Sequence, residues 1–350
     1  MTNRPDHPLP SARRRPPAVL LLLLSVTLLL IAAIAALAIG RAMLSPGDVI
    51  AVLTHALTGK GEVPLANKTI VMGVRLPRVV AAAMIGGALA VSGTAYQGLF
   101  RNPMVSPDIL GASTGASFGA ALALLLSTSR SGVQAAAFVG GVIAVLLTYT
   151  SARKIGRGTD QVLLLVLCGM IVSALFQAFV SAVKYTADPD SKLPEITYWL
   201  MGSLAGSSWQ QIALATPFIV IGSGVIVALR WRLNVLALSE DEARAAGVDV
   251  RRLRILLIVC ATVVTASVIS LCGQVGWVGL IVPHAARMLT GSDNRYLIPV
   301  CLLLGASAMI AIDTVARTLT ASEVPVSVVT AIVGAPFFIT LLRRTGGVQA

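Results

Sequence analysis

The sequence predicts an all-α polytopic membrane protein with about ten transmembrane helices. Of its 350 residues, 56% are hydrophobic and only 12% are charged, and the mean hydropathy is +0.86. Soluble globular domains carry roughly a quarter of charged residues, so a soluble fold is excluded. The apolar runs are continuous and close to the roughly 20 residues that a helix needs to cross the hydrocarbon core, whereas a transmembrane β-barrel would show short alternating segments.

Ten apolar segments are the predicted spans. They cover residues 18–40, 76–99, 109–127, 134–151, 161–183, 210–229, 255–272, 275–290, 296–318 and 325–342. The chain thus divides into a polar, proline-rich tail at 1–17 that we expect to be disordered in the cytoplasm, one transmembrane domain at 18–342, and a cytoplasmic tail at 343–350. A cleaved signal peptide is the alternative for the first span, but its 23 residues exceed the usual hydrophobic region.

Two short helices are predicted at the membrane interfaces, between the spans. Ser45-Pro46-Gly47-Asp48 is a helix-start pattern in the outer segment that follows the first span. The segment PEITYWLMGSLAG at 194–206 is too short and too aromatic to cross the membrane, and its Tyr198 and Trp199 are of the type that prefers the interface.

The positive-inside rule orients the chain with its N- and C-termini in the cytoplasm. In that orientation 18 of the 27 lysines and arginines lie on the cytoplasmic side, leaving 9 outside. Three outer arginines, Arg75, Arg78 and Arg317, lie beside or within predicted spans on the disfavoured side. Something other than topology must therefore keep these three side chains there.

Charge and reactive residues exclude several functions. The net charge of +12 comes from cations placed singly or in short groups beside apolar spans, which fits the headgroups of membrane lipids and not nucleic acid. No G-x-x-x-x-G-K-[ST] or H-E-x-x-H motif occurs, and no paired carboxylates or Ser-His-Asp set can be assembled. The four cysteines lie in apolar runs without metal-ligand spacing and are predicted to be buried thiols. We therefore expect no catalytic residue, no metal site and no cofactor bound by this chain.

Small residues line one face of the second predicted span. They are Gly86, Gly87, Ala90, Gly93, Ala95 and Gly98. Inside a bilayer such residues let neighbouring backbones approach closely, so this helix is predicted to be surrounded by protein.

Five segments spread along the chain resemble a single family. They are RLPR (75–78), RNPMVSPDILG (101–111), WLMGSLAG (199–206), GWVGLIVPHAAR (276–287) and EVPVSVVTAIVGAPFF (323–338). Together they are similar to the permease subunits of type II bacterial ABC importers for iron-siderophores, haem and cobalamin. The resemblance extends over nearly the whole chain after residue 18. It implies the ten-helix type II permease fold and a multi-pass location in the bacterial inner membrane.

The resemblance implies that Arg75, Arg78 and Arg317 dock a substrate-binding protein by receiving its glutamates. Arg75 and Arg78 are three residues apart and so share one helix face at the outer end of the second span. The alternative is that both arginines reach out to lipid phosphates. Asp313 precedes Arg317 by four residues, so an intrahelical pair is expected for this carboxylate.

The segment Arg230–Arg254 is predicted to contain a short cytoplasmic helix that couples to an ATPase. Ser239 and Glu242 have the spacing of a capping box, and Gly247 is a C-terminal stop signal. In the resembled family this segment is the coupling helix that sits in a cleft of the ATPase. The resemblance assigns this contact to Ser239, Glu240, Glu242, Arg244 and Gly247. The alternative is a solvated connector.

The connection after the second span is predicted to be a gate. Asn102, Pro103 and Met104 mark the inner end of the second span. In the resembled family this connection narrows the exit of the transport pathway, and the fifth and tenth spans line that pathway. The alternative is a tight buried turn without a gating role.

The resemblance implies a permease that pairs with a second copy of itself, with two ATP-binding cassette subunits below and a periplasmic or lipid-anchored binding protein above. ATP and magnesium would bind to the ATPase subunits. The expected cargo is a ferric siderophore, with haem or cobalamin as alternatives within the family. An ion-coupled secondary transporter is the alternative from another class, but it would be expected to carry several buried acids. The predicted spans offer essentially Asp108 and Asp313.

Overall fold

A computed structural model describes residues 17–40, 42–156, 161–238, 240–320 and 322–346, and within these ranges every regular element is helical. The helices are α1 (Ala18–Ala38), α2 (Pro46–Thr58), α3 (Leu65–Lys68), α4 (Leu76–Leu99), α5 (Ala112–Leu125), α6 (Arg130–Ile155), α7 (Gln161–Thr186), α8 (Lys192–Leu200), α9 (Trp209–Ala228), α10 (Glu240–Ala245), α11 (Val250–Cys272), α12 (Val278–Thr290), α13 (Asn294–Thr318) and α14 (Val326–Gly346). A π-helical stretch, Thr69–Arg75, joins α3 to α4, and a 3₁₀ helix, Arg232–Ala237, precedes α10.

The helix lengths match the predicted set of spans. Among the described residues, seven helical segments are long and apolar enough to cross a membrane, and three shorter apolar helices, α5, α12 and the first part of α14, supply the remaining three of the predicted ten. α14 ends at Gly346, four residues beyond the predicted end of the transmembrane domain. Most of the predicted N-terminal tail, residues 1–16, lies outside the described residues, as do residues 347–350.

Both short helices predicted outside the spans are present. Ser45 accepts a hydrogen bond from the backbone N–H of Asp48, whose carboxylate in turn accepts one from the N–H of Ser45, so α2 begins with a capping box. α8 carries Tyr198 and Trp199 near its C-terminal end. All four cysteines are buried free thiols, as predicted.

α4 is the central helix of the structure. In its most apolar window 83% of the residues are buried, compared with 11% in α1 and 28% in both α7 and α9. α4 packs against α13, α12, α11 and α9. The prediction that protein surrounds this helix is confirmed.

Two glycines of α4 set the distance to its neighbours. A Cβ atom at Gly86 would lie 2.1 Å from the carbonyl oxygen of Gly305 in α13, and one at Gly93 would lie 1.9 Å from the carbonyl oxygen of Gly279 in α12. Both contacts are between backbones, which cannot move aside as a flexible side chain can. Glycine is therefore required at these crossings, and dispersion contacts between the closely approaching backbones replace the missing side chains.

Gly86→Ala should lower the free energy of unfolding of the protein in detergent by about 1–3 kcal/mol, because the added methyl group overpacks the crossing of α4 with α13. Gly224→Ala in α9 is the matched control, since a Cβ atom there meets no atom within 4 Å. The control should be neutral or slightly stabilising, because alanine favours helix. Equal thermal unfolding of the two variants would contradict the close approach.

Candidate functional site

Five charged side chains meet at the predicted outer end of the helices, and we call them the outer charged cluster: Arg75, Arg78, Asp313, Arg317 and Glu323. Arg78 is its centre. Its Nε and Nη2 atoms each donate to the Asp313 carboxylate at 2.8 Å, and its Nη1 atom donates to Oε1 of Glu323 at 2.8 Å. This two-point contact with Asp313 ties α4 to α13. The prediction that Asp313 pairs with Arg317 is wrong, because Arg78 occupies that carboxylate from the neighbouring helix.

The other two arginines of the cluster hold the end of α1. Nη1 of Arg75 donates to the carbonyl oxygens of Leu37 and Ala38 at 2.5 and 2.8 Å, and its Nη2 donates to that of Ala42. Nη2 of Arg317 donates to the carbonyl oxygen of Ala36. The last carbonyls of a helix lack intrahelical partners and carry partial negative charge. Two guanidinium groups therefore cap α1, which explains why these cations are kept on the disfavoured side.

Little of the cluster's positive charge is displayed outward. The exposed fractions are 4% for Arg75 and 8% for both Arg78 and Arg317. Two carboxylates offset three guanidinium groups, so the cluster carries one net positive charge. Nε of Arg317 and Oε2 of Glu323 are buried without a hydrogen-bond partner. Docking by these arginines stays a prediction, and Glu323, whose side chain is 24% exposed, is the most accessible member of the ion pairs.

The coupling segment, residues 230–254, contains the predicted short helix. α10 ends in a Schellman motif, in which the N–H of Val248 donates to the carbonyl of Ala243 and that of Gly247 to the carbonyl of Arg244. Gly247 has a φ of +73°, a conformation that favours glycine. Ser239 lies outside the described residues, so the predicted capping box is untested. Glu242 and Arg244 are exposed on α10.

The coupling segment is fastened to two other parts of the cytoplasmic side. Arg101, just after α4, donates from Nε to the carbonyl of Leu236 at 2.6 Å and from Nη2 to that of Leu238 at 2.5 Å. Asn234 donates to Asp293 at 2.7 Å and accepts from the backbone N–H of Asn294 at 2.9 Å. The pKa of the Asp293 carboxyl is lowered, first by the backbone N–H of Arg295 and also by this bond from Asn234.

The predicted gate is a turn stabilised by its own side chain. Oδ1 of Asn102 accepts from the backbone N–H of Met104 at 2.9 Å, an Asx turn. Asn102, Pro103 and Met104 are all exposed, and Met104 is 42% exposed. The alternative of a buried turn is therefore wrong, while the gating role stays a prediction. Through Arg101 this turn is directly bonded to the coupling segment.

A cavity of about 310 Å³ lies between α4, α5, α11, α12 and α14, beside the connection that contains the predicted gate. Its polar lining comprises Ser106, Asp108, Ser113, Thr265, Gln274 and Ser327. Among its described lining residues Asp108 is the one charged group. This cavity therefore offers hydroxyl and amide groups and one carboxylate, and no guanidinium or ammonium group.

Arg101, Asn234 and Glu323 make contacts between distant segments that sequence patterns did not predict. In the sequence, Arg101 is one of several cytoplasmic cations, and Glu323 belongs to a motif in which no role is predicted for it. Their partners lie 59 to 245 residues away in the chain, so no local spacing could reveal them.

The FecCD transport family matches residues 28–344. The chain belongs to the FecCD transport family.

Relatives of this FecCD protein include permeases for different cargoes. It is 39% identical over 312 residues to the molybdate import system permease MolB of Haemophilus influenzae, covering 89% of this chain and 92% of that protein. It is 45% identical over 282 residues to the cobalamin import system permease BtuC of Halobacterium salinarum, covering 80% of this chain and 75% of that protein. A probable iron chelatin permease of Helicobacter pylori is 39% identical over 279 residues, covering 80% of this chain and 84% of that protein.

A solved structure has the same fold. The inward-facing conformation of an ABC transporter assigned to the metal-chelate type superposes with a TM-score of 0.84 at 37% identity, covering 93% of this chain and 99% of that one. The chain is therefore an ABC importer permease of the FecCD family with the type II permease fold. As a multi-pass helical protein of a bacterial permease family, it is located in the inner membrane. Permeases of this family work with ATPase and binding-protein subunits.

Proposed function

We propose that this chain is the membrane-spanning subunit of an ATP-driven importer of a ferric siderophore. The observation that carries the transport mechanism is the bond from Arg101 to the coupling segment, because it connects the predicted ATPase contact to the predicted gate. Hydrolysis of ATP on separate subunits would move α10, and the backbone carbonyls of Leu236 and Leu238 would carry that movement to Arg101. The permease halves would then alternate between inward- and outward-open states.

The chemistry of the 310 Å³ cavity supports a chelate as cargo. We infer that this cavity is part of the pathway wall, since Ser106 and Asp108 of the connection that follows the predicted gate line it, together with Ser327 of α14, the predicted tenth span. Asp108 would repel a bare oxyanion such as molybdate, whereas hydroxyl and amide groups suit the polar rim of a chelate. The metal-chelate type of the similar structure and the iron chelatin relative support the same class. Cobalamin is the second candidate, favoured by the 45% identity to a cobalamin permease.

A second copy of this chain is the proposed partner within the membrane. α7 and α14, the predicted pathway helices, expose large apolar side chains. Among them are Met170 at 62%, Ile171 at 68%, Ile332 at 67% and Val333 at 59%. A homodimer with the pathway on its two-fold axis would cover part of these faces. The ATPase contact would be made by α10, through Ser239, Glu240, Glu242, Arg244 and Gly247.

Proteoliposomes that contain the permease together with its ATPase should accumulate ferric siderophore when the binding protein and ATP are present. Permease without the ATPase should accumulate nothing, because the chain has no P-loop. Cobalamin and molybdate, each offered in parallel to the same proteoliposomes, separate the cargo candidates. Uptake driven by a proton or sodium gradient without ATPase would contradict the mechanism, and molybdate uptake alone would contradict the cargo.

Exchanging the charges of α10, with Glu242→Lys and Arg244→Glu in one variant, should weaken co-purification of the ATPase and reduce its stimulation by the permease. Both side chains are exposed, so the fold should be kept. The matched control exchanges the charges of the partly exposed outer pair Lys192 and Glu195, which lies on the opposite side. If both variants retain the ATPase equally, α10 does not make the contact.

We propose that the binding protein docks on the outer face of the permease, at the outer charged cluster. Arg75, Arg78 and Arg317 would supply the positive charge for this contact. Arg78→Met is an ambiguous test, because it leaves the Asp313 carboxylate buried without its partner, a loss of roughly 3–5 kcal/mol in typical cases. Glu323→Gln is a better one. It removes a partly exposed carboxylate, raises the net charge of the cluster from one to two, and leaves the contact between Arg78 and Asp313 in place.

Glu323→Gln should therefore strengthen binding of an acidic docking partner by about two- to fivefold at low salt, with a smaller gain at high salt. Surface plasmon resonance with the immobilised permease would measure the affinity for the partner at low and at high salt. Glu195→Gln is the control, since it removes an outer carboxylate that pairs with Lys192 away from the cluster. Weaker binding by Glu323→Gln, or an equal gain in the control, would show that Arg78 does not receive the partner's carboxylates.

A further inference from the structure

An arginine-lined cavity of about 460 Å³ opens between the last turn of α6, the start of α7, α10 and the first turns of α11. Four arginines line it: Arg153, Arg244, Arg251 and Arg254. Among its described lining residues there is no carboxylate. The predicted topology places these helix ends on the cytoplasmic side. The concentration of guanidinium groups on one concave surface makes this cavity suited to an anion, and above all to a phosphate, whose oxygens match the planar fork of arginine.

One side of α11 lines the arginine-lined cavity near the start of the helix and an apolar surface further along. Arg251, Arg254, Ile258 and Thr262 follow one another at helical spacing on the side that faces α6. Arg252 is directed elsewhere, with its side chain 89% exposed and paired at 3.0 Å with Asp249. This side of α11 therefore changes along its length from cationic to apolar within two turns of helix.

An apolar groove continues from the arginine-lined cavity between α6 and α11. Tyr149, Ile255 and Ile258 line both. The groove extends to Val142 on α6 and Val263 on α11, and its exposed surface is almost entirely apolar. From Tyr149 to Val142 the helix rises by about 10 Å. This length covers about two thirds of one leaflet of the hydrocarbon core.

We propose that the arginine-lined cavity and the apolar groove form one binding site for an anionic phospholipid of the inner leaflet. Its phosphate would lie against Arg153 and Arg251, and one acyl chain would lie in the groove against Ile258 and Val259. A free phosphate would match Arg153 and Arg251 but would leave the groove unexplained. A neutral lipid would fill the groove but would bring no negative charge to Arg153 and Arg251. An anionic amphiphile matches both the arginine-lined cavity and the apolar groove. Its charged end would lie at the cytoplasmic surface, where the predicted topology places the arginines.

The headgroup test uses full-length permease, stripped of lipid in neutral detergent and analysed by native mass spectrometry with added lipid. Phosphatidylglycerol should bind once per chain and more tightly than phosphatidylcholine. Arg153→Gln with Arg251→Gln should weaken phosphatidylglycerol binding at least about tenfold, since charged hydrogen bonds are lost. The control, Lys154→Gln with Arg252→Gln, removes two equal charges at neighbouring positions that do not line the cavity, and should stay within about twofold of the wild type.

The groove is tested separately. Val259→Trp adds bulk there at a residue that is 53% exposed, so the variant should fold. It should weaken binding of phosphatidylglycerol and leave unchanged any binding of glycerol 3-phosphate, which has no acyl chain. Thermal unfolding of each variant without lipid identifies a variant that is merely misfolded, and the other variant then carries the test.

Three results would overturn the proposal. Equal weakening in the control double variant would mean that only net charge matters. Full competition by inorganic phosphate or glycerol 3-phosphate would mean a free phosphate site. Loss of ATPase association in the Arg153 and Arg251 variant, with lipid binding unchanged, would assign these arginines to the ATPase interface.

Discussion

Backbone contact between α4 and its neighbours is the constraint on which the rest of the structure depends. At Gly86 and Gly93 the backbones of α13 and α12 approach so closely that no side chain fits. In a bilayer the lipid tails are as apolar as the helix surface, so burial of apolar area contributes little between helices and close packing must hold them together. Because α4 is fixed at these crossings, Arg78 at its outer end and Arg101 just beyond its inner end are positioned for their separate roles.

At the outer end the fixed position of α4 makes a buried ion pair tolerable. Removing a guanidinium and a carboxylate from water is costly, and the cost is offset only when the geometry is good and further hydrogen bonds are made. Arg78 reaches Asp313 with two nitrogens and Glu323 with a third. Arg75 and Arg317 instead bind the terminal carbonyls of α1, whose own apolar packing is slight. Polar contacts thus fasten the end of a helix whose surface is largely exposed.

The sequence was sufficient for the helices and insufficient for the contacts between them. Span positions follow from apolar runs that must match the bilayer, and α10 follows from short-range signals such as Gly247, whose positive φ closes the helix. Local spacing gave a wrong prediction at Asp313, where Arg317 four residues later suggested an intrahelical pair. Arg78 lies 235 residues away, but its helix presents the guanidinium group in a better geometry. Such pairs depend on which helices are neighbours, and one sequence does not record this.

Within the described part of the coupling segment, Arg101 binds main-chain carbonyls, those of Leu236 and Leu238. Every amino acid provides a carbonyl, so this contact sets no requirement on the side chains around it. During evolution the surface of the coupling segment could therefore change to suit a different motor protein while the connection to the exit turn remained intact. Permeases built in this way could exchange motors more readily than ones in which each contact depends on a matched pair of side chains.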